Sequence, residues 1–424
     1  MYRWITRWRS SFFFQAGVFF FLVVPVFFIR IDGRGYQLDA ESMSSAAGFS
    51  QWKVGFAREA IKKGIKPEIL ARVFDGVVLN ERVIKADRYQ PEFSKSAGDY
   101  FEIVVSRKRV REGQRLLKKG KQDFASIEQK YHVPASVFIA IWGAESFYGH
   151  VYGDYDVIEA LATLAYTGRR MSWARTQLFS VLRSIQTGRI KSERVVGSWA
   201  GAMGHTQFIP TTFESFAVDF TGDGHVDFWS EDALDALASA ANYLLKSGWR
   251  YGEAWGIEVL LPEKIDYGML HEQFVRSVSF WAQQGVVAAD GRQLPLNIKK
   301  ASVIVPSGSQ GPAFMVLPNF HVIKKYNNAT LYALAVGHLS DRLSGKAALI
   351  ASWPKEKKPL TSHEVQEIQS LLLSLGYNPG GIDGIAGART KFAIRNYQKS
   401  KRQIEDGYPS RLLLSLLRKE IKEG

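Results

Sequence analysis

The stretch Pro134-Ala-Ser-Val-Phe-Ile-Ala-Ile-Trp-Gly-Ala-Glu-Ser-Phe147 decides the fold. Pro134 suits the first turn of a helix, where its missing N–H is not needed. From Ala135 to Phe147 apolar side chains then recur nearly all round, and a helix with no polar stripe is a buried one. It carries a single charge, Glu145. Burial disfavours the ionised form of a carboxyl and raises its pKa. A carboxylic acid that stays protonated near neutral pH can give its proton to a glycosidic oxygen. Two plainer readings compete: a Glu at the solvent edge of the helix, and a structural ion pair, which also perturbs a pKa.

Helical patterning continues on both sides of this stretch. Trp52, Phe56, Ala60 and Ile61 recur at helical spacing, with Arg58, Lys62 and Lys63 on the other face. Asp123 to Tyr131, Val157 to Tyr166, Met171 to Thr187, Ala233 to Ser247 and Asn328 to Leu343 read as further helices. Residues 256–320 differ. Their β-branched run Ala301 to Val305 and the Gly/Pro punctuation of 306–312 predict a loop-rich insertion with short strands. The fold class expected is therefore mainly α, with a small loop/β insertion.

The ends of the chain set its compartment and modules. Arg3, Arg7 and Arg9 precede an uncharged, Phe-, Val- and Leu-rich run from Ser10 to Ile29, close to the ~20 residues that span a bilayer. Basic residues before such a run keep the N-terminus cytoplasmic and send the rest outward. Residues 1–31 thus read as a signal sequence or membrane anchor and 32–48 as a tether, with the remainder periplasmic. No small-x-small cleavage site follows directly, which favours an uncleaved anchor. At the other end, Trp353-Pro-Lys-Glu-Lys-Lys-Pro359 reads as a linker (351–359) before a compact helical unit, 360–418. The net charge of +14 favours polyanionic partners, with no means of choosing among nucleic acid, anionic lipid and cell wall. The absence of cysteine excludes disulfides, a thiolate metal site and a Cys nucleophile.

Several ordered blocks carry a resemblance. Gly143-Ala-Glu-Ser-Phe-Tyr-Gly149 is followed by Ser198-Trp-Ala-Gly-Ala-Met-Gly-His-Thr-Gln-Phe-Ile-Pro210, by Phe216 to Trp229, by Ala240 to Trp249, and by Gly311-Pro-Ala-Phe, Asn319-Phe320 and Tyr326-Asn327. Weaker agreement begins near Trp52 and includes Arg88 to Phe93. Together these resemble the lytic murein transglycosylase B family over about residues 50–345. The resemblance implies a lysozyme-like helical catalytic domain, here 49–350. It implies cleavage between N-acetylmuramic acid and N-acetylglucosamine with formation of a 1,6-anhydromuramic end. Glu145 is then the sole catalytic acid/base, and no cofactor is required for the chemistry. Ser198, Gln207, Tyr243, Tyr326, Asn327 and Tyr332 map onto substrate-binding positions, and Arg169 and Arg170 onto a basic pair facing lactyl or peptide carboxylates. For Tyr332, core packing is an equal reading. His205 has no role assigned.

Asp219-Phe-Thr-Gly-Asp-Gly-His-Val-Asp227 follows the start of an EF-hand loop, with oxygen donors at alternate positions and Gly at the sixth. Ser230 stands where the bidentate Glu belongs. The family includes variant calcium sites, which points to Asp219, Thr221, Asp223, His225 (through its carbonyl) and Asp235 as ligands of a structural Ca2+; a plain Asp/Gly turn is the competing reading. In the tail, Leu360 to Gln369, Leu375-Gly-Tyr377, Gly381-Ile-Asp-Gly384, Gly387-Ala-Arg-Thr390 and Tyr397-Gln398 resemble a three-helix peptidoglycan-binding domain. The partners expected are glycan strands and, for the N-terminal segment, a membrane; no nucleic-acid motif is present. A hydrolytic muramidase on the same fold and a non-catalytic wall-binding protein remain open.

Overall fold

A computed structural model describes residues 46–88, 96–191, 195–354 and 359–423. The basic leader, the apolar run and most of the expected tether lie outside the described residues, as does the Tyr89–Phe93 part of the Arg88 block. Among the described residues, no helix is long and apolar enough to cross a membrane.

The molecule is mostly helical. At its centre lies the helix Ala135–Ser146, with Val137, Phe138, Ile139, Ala140, Ile141 and Trp142 all buried. The helices Thr330–Leu343, Arg107–Lys119, Leu234–Lys246 and Lys121–Tyr131 pack around it. Burying one such Phe or Ile side chain contributes about 1.5–3 kcal/mol, so the all-round apolar pattern finds its partners on every side. Next to this layer the pair Val157–Thr167 and Met171–Gln186 pack on each other. The first is capped by Asp156, whose carboxylate accepts from the backbone N–H of Ile158 and Glu159.

Observed helix ends differ from the pattern by one or two residues. The largest consequence is at the start of Thr330–Leu343, two residues later than the spacing predicts. There Asn327 Oδ1 accepts from the Ala329 N–H, which holds the preceding residues in a turn. In the first helix, Ala46–Lys62, Phe56 and Ala60 are buried but Ile61 is 47% exposed. One residue is 100° of helix, which carries it off the core face.

The insertion is more ordered than its loop-rich composition implies. Strands Gly256–Leu260, Val287–Ala288, Ser302–Ile304 and Ala313–Val316 form an antiparallel sheet in which Gly256–Leu260 and Ala313–Val316 are central. It has its own core around Val259, Trp281, Val303 and Met315. The tail folds into three helices, Ser362–Ser374, Ala388–Ser400 and Arg411–Glu423, over Ile368, Leu372, Ile394, Tyr397 and Leu414. Buried Gln369 bonds Asp383, Ile385 and Thr390 through its amide nitrogen and the Gly384 N–H through its oxygen. Several contacts tie the tail back. Trp353 packs its ring 4.8 Å from that of Phe101, so the segment read as a linker begins with a docked aromatic. Asp406 Oδ2 accepts from both the backbone N–H and the hydroxyl of Ser309 in the insertion.

Candidate active site

Glu145 is the penultimate residue of its helix, at the C-terminal end, where the helix dipole disfavours a negative charge. Its side chain keeps some surface open, yet desolvation dominates its titration and pushes its pKa up to about 7. The counterweight is a hydrogen bond from the Tyr332 hydroxyl to Oε1, 2.6 Å, which favours the ionised form. No acidic side chain contributes to the shift. The group is therefore poised between its two protonation states near neutral pH, as a residue that must first give and then take a proton requires.

The helix ends abruptly after Glu145. Phe147 and Tyr148 adopt left-handed conformations (φ 50° and 59°), followed by Gly149 at φ 84°. Strained non-Gly residues of this kind persist only where the surroundings hold them. Here the Ser146 hydroxyl donates to the His205 carbonyl, 2.6 Å, and accepts from the Gly149 N–H, 2.9 Å. A Cβ at Gly149 would lie 2.3 Å from His205 Cε1, so only glycine lets the chain pass. His205 is also gripped at its ring: Trp142 Nε1 donates to Nδ1, 3.1 Å, and Nε2 bonds the Ser230 carbonyl, 2.8 Å. These partners fit a neutral imidazole protonated on Nε2, and burial lowers its pKa. His205 thus locks the 198–210 segment to the helix of Glu145.

The other expected residues fall into groups. Ser198 Oγ accepts from the Ala202 N–H, 3.0 Å, shaping the small-residue loop. Gln207, at φ 50°, donates its amide to the carbonyls of Tyr152 and Gly204. Tyr326 donates to the Thr206 carbonyl, 2.6 Å, and Tyr243 to the Lys325 carbonyl. Both hydroxyls therefore serve the framework, while the two rings meet edge to face, centroids 5.2 Å apart. Tyr326 feels the charge of Glu145, which with burial holds its pKa well above 10. Asn327 orders the turn that leads to Tyr332. The basic pair lies between the helices Val157–Thr167 and Met171–Gln186. Arg169 is tied to Asp87 through that residue's carbonyl, 2.8 Å, and carboxylate, 3.9 Å, and Arg170 lies over the Trp173 ring.

Sequence reasoning missed Tyr100. It sits on the helix Ala97–Val104, which is closed at its start by a reciprocal Ser96/Asp99 capping box. Burial and the charge of Glu145 raise its pKa, placing a third tyrosine around the acid. Nothing local announces it, because the approach is made across 45 residues of chain.

The Asp219 loop is arranged differently from the calcium reading. Asp219 accepts from the N–H groups of Gly222 and Gly224, and Asp223 from that of His225. The His225 ring bonds the Gly188 carbonyl. Asp235, expected to close an ion's shell, spends Oδ1 on the N–H groups of Phe220 and Thr221 and Oδ2 on that of Asp227. Among the described residues no three His, Asp or Glu side chains converge as metal ligands. As arranged here the carboxylates of Asp219, Asp223 and Asp235 accept backbone N–H bonds, and Asp235 closes the loop.

The transglycosylase SLT domain family matches residues 48–341, and a peptidoglycan binding domain family matches residues 361–417. The chain is 34% identical over 226 residues to membrane-bound lytic murein transglycosylase B of Escherichia coli (strain K12), a match spanning 51% of this chain and 58% of that protein. SltB3 from Pseudomonas aeruginosa, solved in complex with NAG-anhNAM-pentapeptide, is similar at a TM-score of 0.83 and 44% identity, over 87% of this chain and 99% of that one. Escherichia coli Slt35 in complex with calcium is similar at a TM-score of 0.61 and 26% identity, over 73% of this chain and 98% of that one.

Proposed function

The chain belongs to the transglycosylase SLT domain family, and from that premise we propose that it is a peptidoglycan lytic transglycosylase with Glu145 as its one acid/base. The bond cut joins C1 of N-acetylmuramic acid to the oxygen of N-acetylglucosamine. Glu145, protonated on entry, gives its proton to that oxygen as the C1–O bond breaks and its electron pair leaves with the sugar. The carboxylate so formed takes the proton of the muramic C6 hydroxyl while O6 bonds to C1. The 1,6-anhydro ring closes, Glu145 is protonated again, and no water is consumed.

The observation that carries this reading is a carboxyl poised at about 7 beside a single neutral donor, Tyr332. Retaining glycosidases usually add a second carboxylate as nucleophile. Among the described residues no acidic side chain shares in Glu145's titration. The substrate's own 2-acetamido group is the nearest group able to shield C1. The anhydro sugar in the SltB3 complex supports the same product. Half-buried Tyr100 supplies a ring and hydroxyl of the kind that line saccharide grooves, while Tyr326 and Tyr332 are buried behind the acid with their hydroxyls on Thr206 and Glu145. In this reading the tail holds the enzyme on the wall and raises its local concentration, and the N-terminal segment exports or anchors it. No step draws on a metal.

Digestion of purified sacculi followed by mass spectrometry tests the proposal. Anhydromuramic ends, abolished by Glu145→Gln, are the expected result. Reducing muramic ends would assign a hydrolytic muramidase instead, and solubilisation undiminished in Glu145→Gln would remove Glu145 from the chemistry.

A further inference from the structure

Tyr332 meets Glu145 from the first turn of the helix Thr330–Leu343, and the local restraint on that turn is a single bond, from the Ala329 N–H to Asn327 Oδ1. Its N-cap is Ala329, whose side chain makes no capping bond, and alanine is among the poorest residues there. A second restraint arrives from the insertion. Thr330 donates its hydroxyl to Glu272 Oε1. Lys324, near the end of the preceding helix Pro318–Tyr326, donates to Glu272 Oε2 at 2.7 Å and to Thr330 Oγ1 at 3.3 Å. The three side chains close a ring across the turn that carries Tyr326 and Asn327. Glu272 is itself held, because its carbonyl accepts from the hydroxyl of Ser302 on the sheet strand Ser302–Ile304, 2.9 Å. Its carboxylate also lies by the N-terminus of the Thr330 helix, the end that favours negative charge.

We propose that Glu272 is a positioning residue for bond cleavage: through Thr330 and Lys324 it fixes the turn that keeps the Tyr332 hydroxyl on Glu145. The inference rests on the reading of Glu145 as the acid/base. It gives the insertion a role in the reaction without bringing any of its atoms to the substrate. A purely stabilising role is a poor explanation of the ring. A pair in which Lys324 and Glu272 are both largely buried (side chains 17% and 18% exposed) repays little of its desolvation cost. Placement is what such a ring supplies, and catalysis is sensitive to errors of about 1 Å in a reacting group. Glu272 is faced by Lys324, His321 of the same helix and Lys391 of the tail, and Glu145 by Tyr332, Tyr326 and Tyr100.

The test is the pH–rate profile of the full-length enzyme on sacculi for wild type, Thr330→Val, Thr330→Ser, Glu272→Gln and Tyr332→Phe, with Glu145→Gln as control. Thr330→Val removes one hydroxyl at constant shape, so it probes the ring even should Glu272→Gln fold poorly. Thr330→Val and Glu272→Gln are expected to lower kcat about tenfold at unchanged KM. Both should move the basic limb to higher pH, in the direction set by Tyr332→Phe, because the bond that favours ionised Glu145 is loosened. Thr330→Ser should restore both. Wild-type kcat and limb in Thr330→Val and Glu272→Gln, beside a shifted Tyr332→Phe, would overturn the proposal alone. An active Glu145→Gln with an unmoved Tyr332→Phe profile would overturn the acid/base reading, and this inference with it.

Discussion

Glu145 and Asp235 are both acids of the helical core, and they are treated in opposite ways. Asp235 lies in the first turn of its helix, at the favourable end of the dipole, and its two oxygens take three backbone N–H bonds. Glu145 lies at the unfavourable end of its helix and, among the described residues, receives one bond, from a neutral hydroxyl. The well-supplied acid holds a loop together. The under-supplied one is left with a titration near neutrality and is available for chemistry. On the proposed reading, satisfaction of hydrogen-bonding capacity, more than depth of burial, separates the structural carboxylate from the reactive one.

Exchanging each acid for its amide is the sharpest way to break that contrast. Glu145→Gln should lower the rate of sacculus solubilisation by about a thousandfold, the scale of losing a general acid. A loss below tenfold would contradict the contrast. Asp235→Asn puts an NH2 group against a backbone N–H and should cost about 2–3 kcal/mol in denaturant unfolding, the penalty of an unmade buried bond. The surviving folded enzyme should keep wild-type kcat, and neither calcium nor chelator should move the Tm of the wild type, since Asp235 already closes the loop. A calcium-dependent rise in Tm would show the carboxylates free to rearrange.

Tyr332→Phe tests the one bond Glu145 does have. The hydroxyl favours the charged form, so its loss should raise the pKa of Glu145 above about 7 and shift the basic limb of the rate profile upward, with kcat about tenfold lower. The remaining effect is on stability. A carboxyl with a folded pKa of about 7, against 4.5 ordinarily, costs the fold nothing below pH 4.5. The cost grows as pH rises towards 7 and is complete above it. Glu145→Gln should therefore raise Tm at pH 8 by the equivalent of about 3 kcal/mol and leave it unchanged at pH 4. Equal Tm values at both pH values would place Glu145 in a satisfied site like that of Asp235.

The central helix was legible because its signal is local: apolar residues around a full 3.6-residue turn, opened by Pro134. The short strands at Ser302–Ile304 showed through their β-branched run for the same reason. What escaped was settled by contacts between distant segments. Tyr100 gives no sign in its own helix of the acid it approaches. Glu272 carries no motif, and its partners Lys324 and Thr330 lie 52 and 58 residues away. Trp353 reads as the start of a linker until Phe101 supplies the ring it packs on. In the Asp219 loop the spacing of donors is legible, but the backbone N–H bonds that Asp235 accepts are not, since they come from residues 8 to 15 positions away.

The most direct test of a lone acid/base is digestion in heavy-oxygen water. If Glu145 closes the anhydro ring with the muramic C6 hydroxyl, the new ends are anhydromuramic and carry no heavy oxygen. Reducing muramic ends labelled at C1 would show that water, not the sugar's own hydroxyl, completes the reaction.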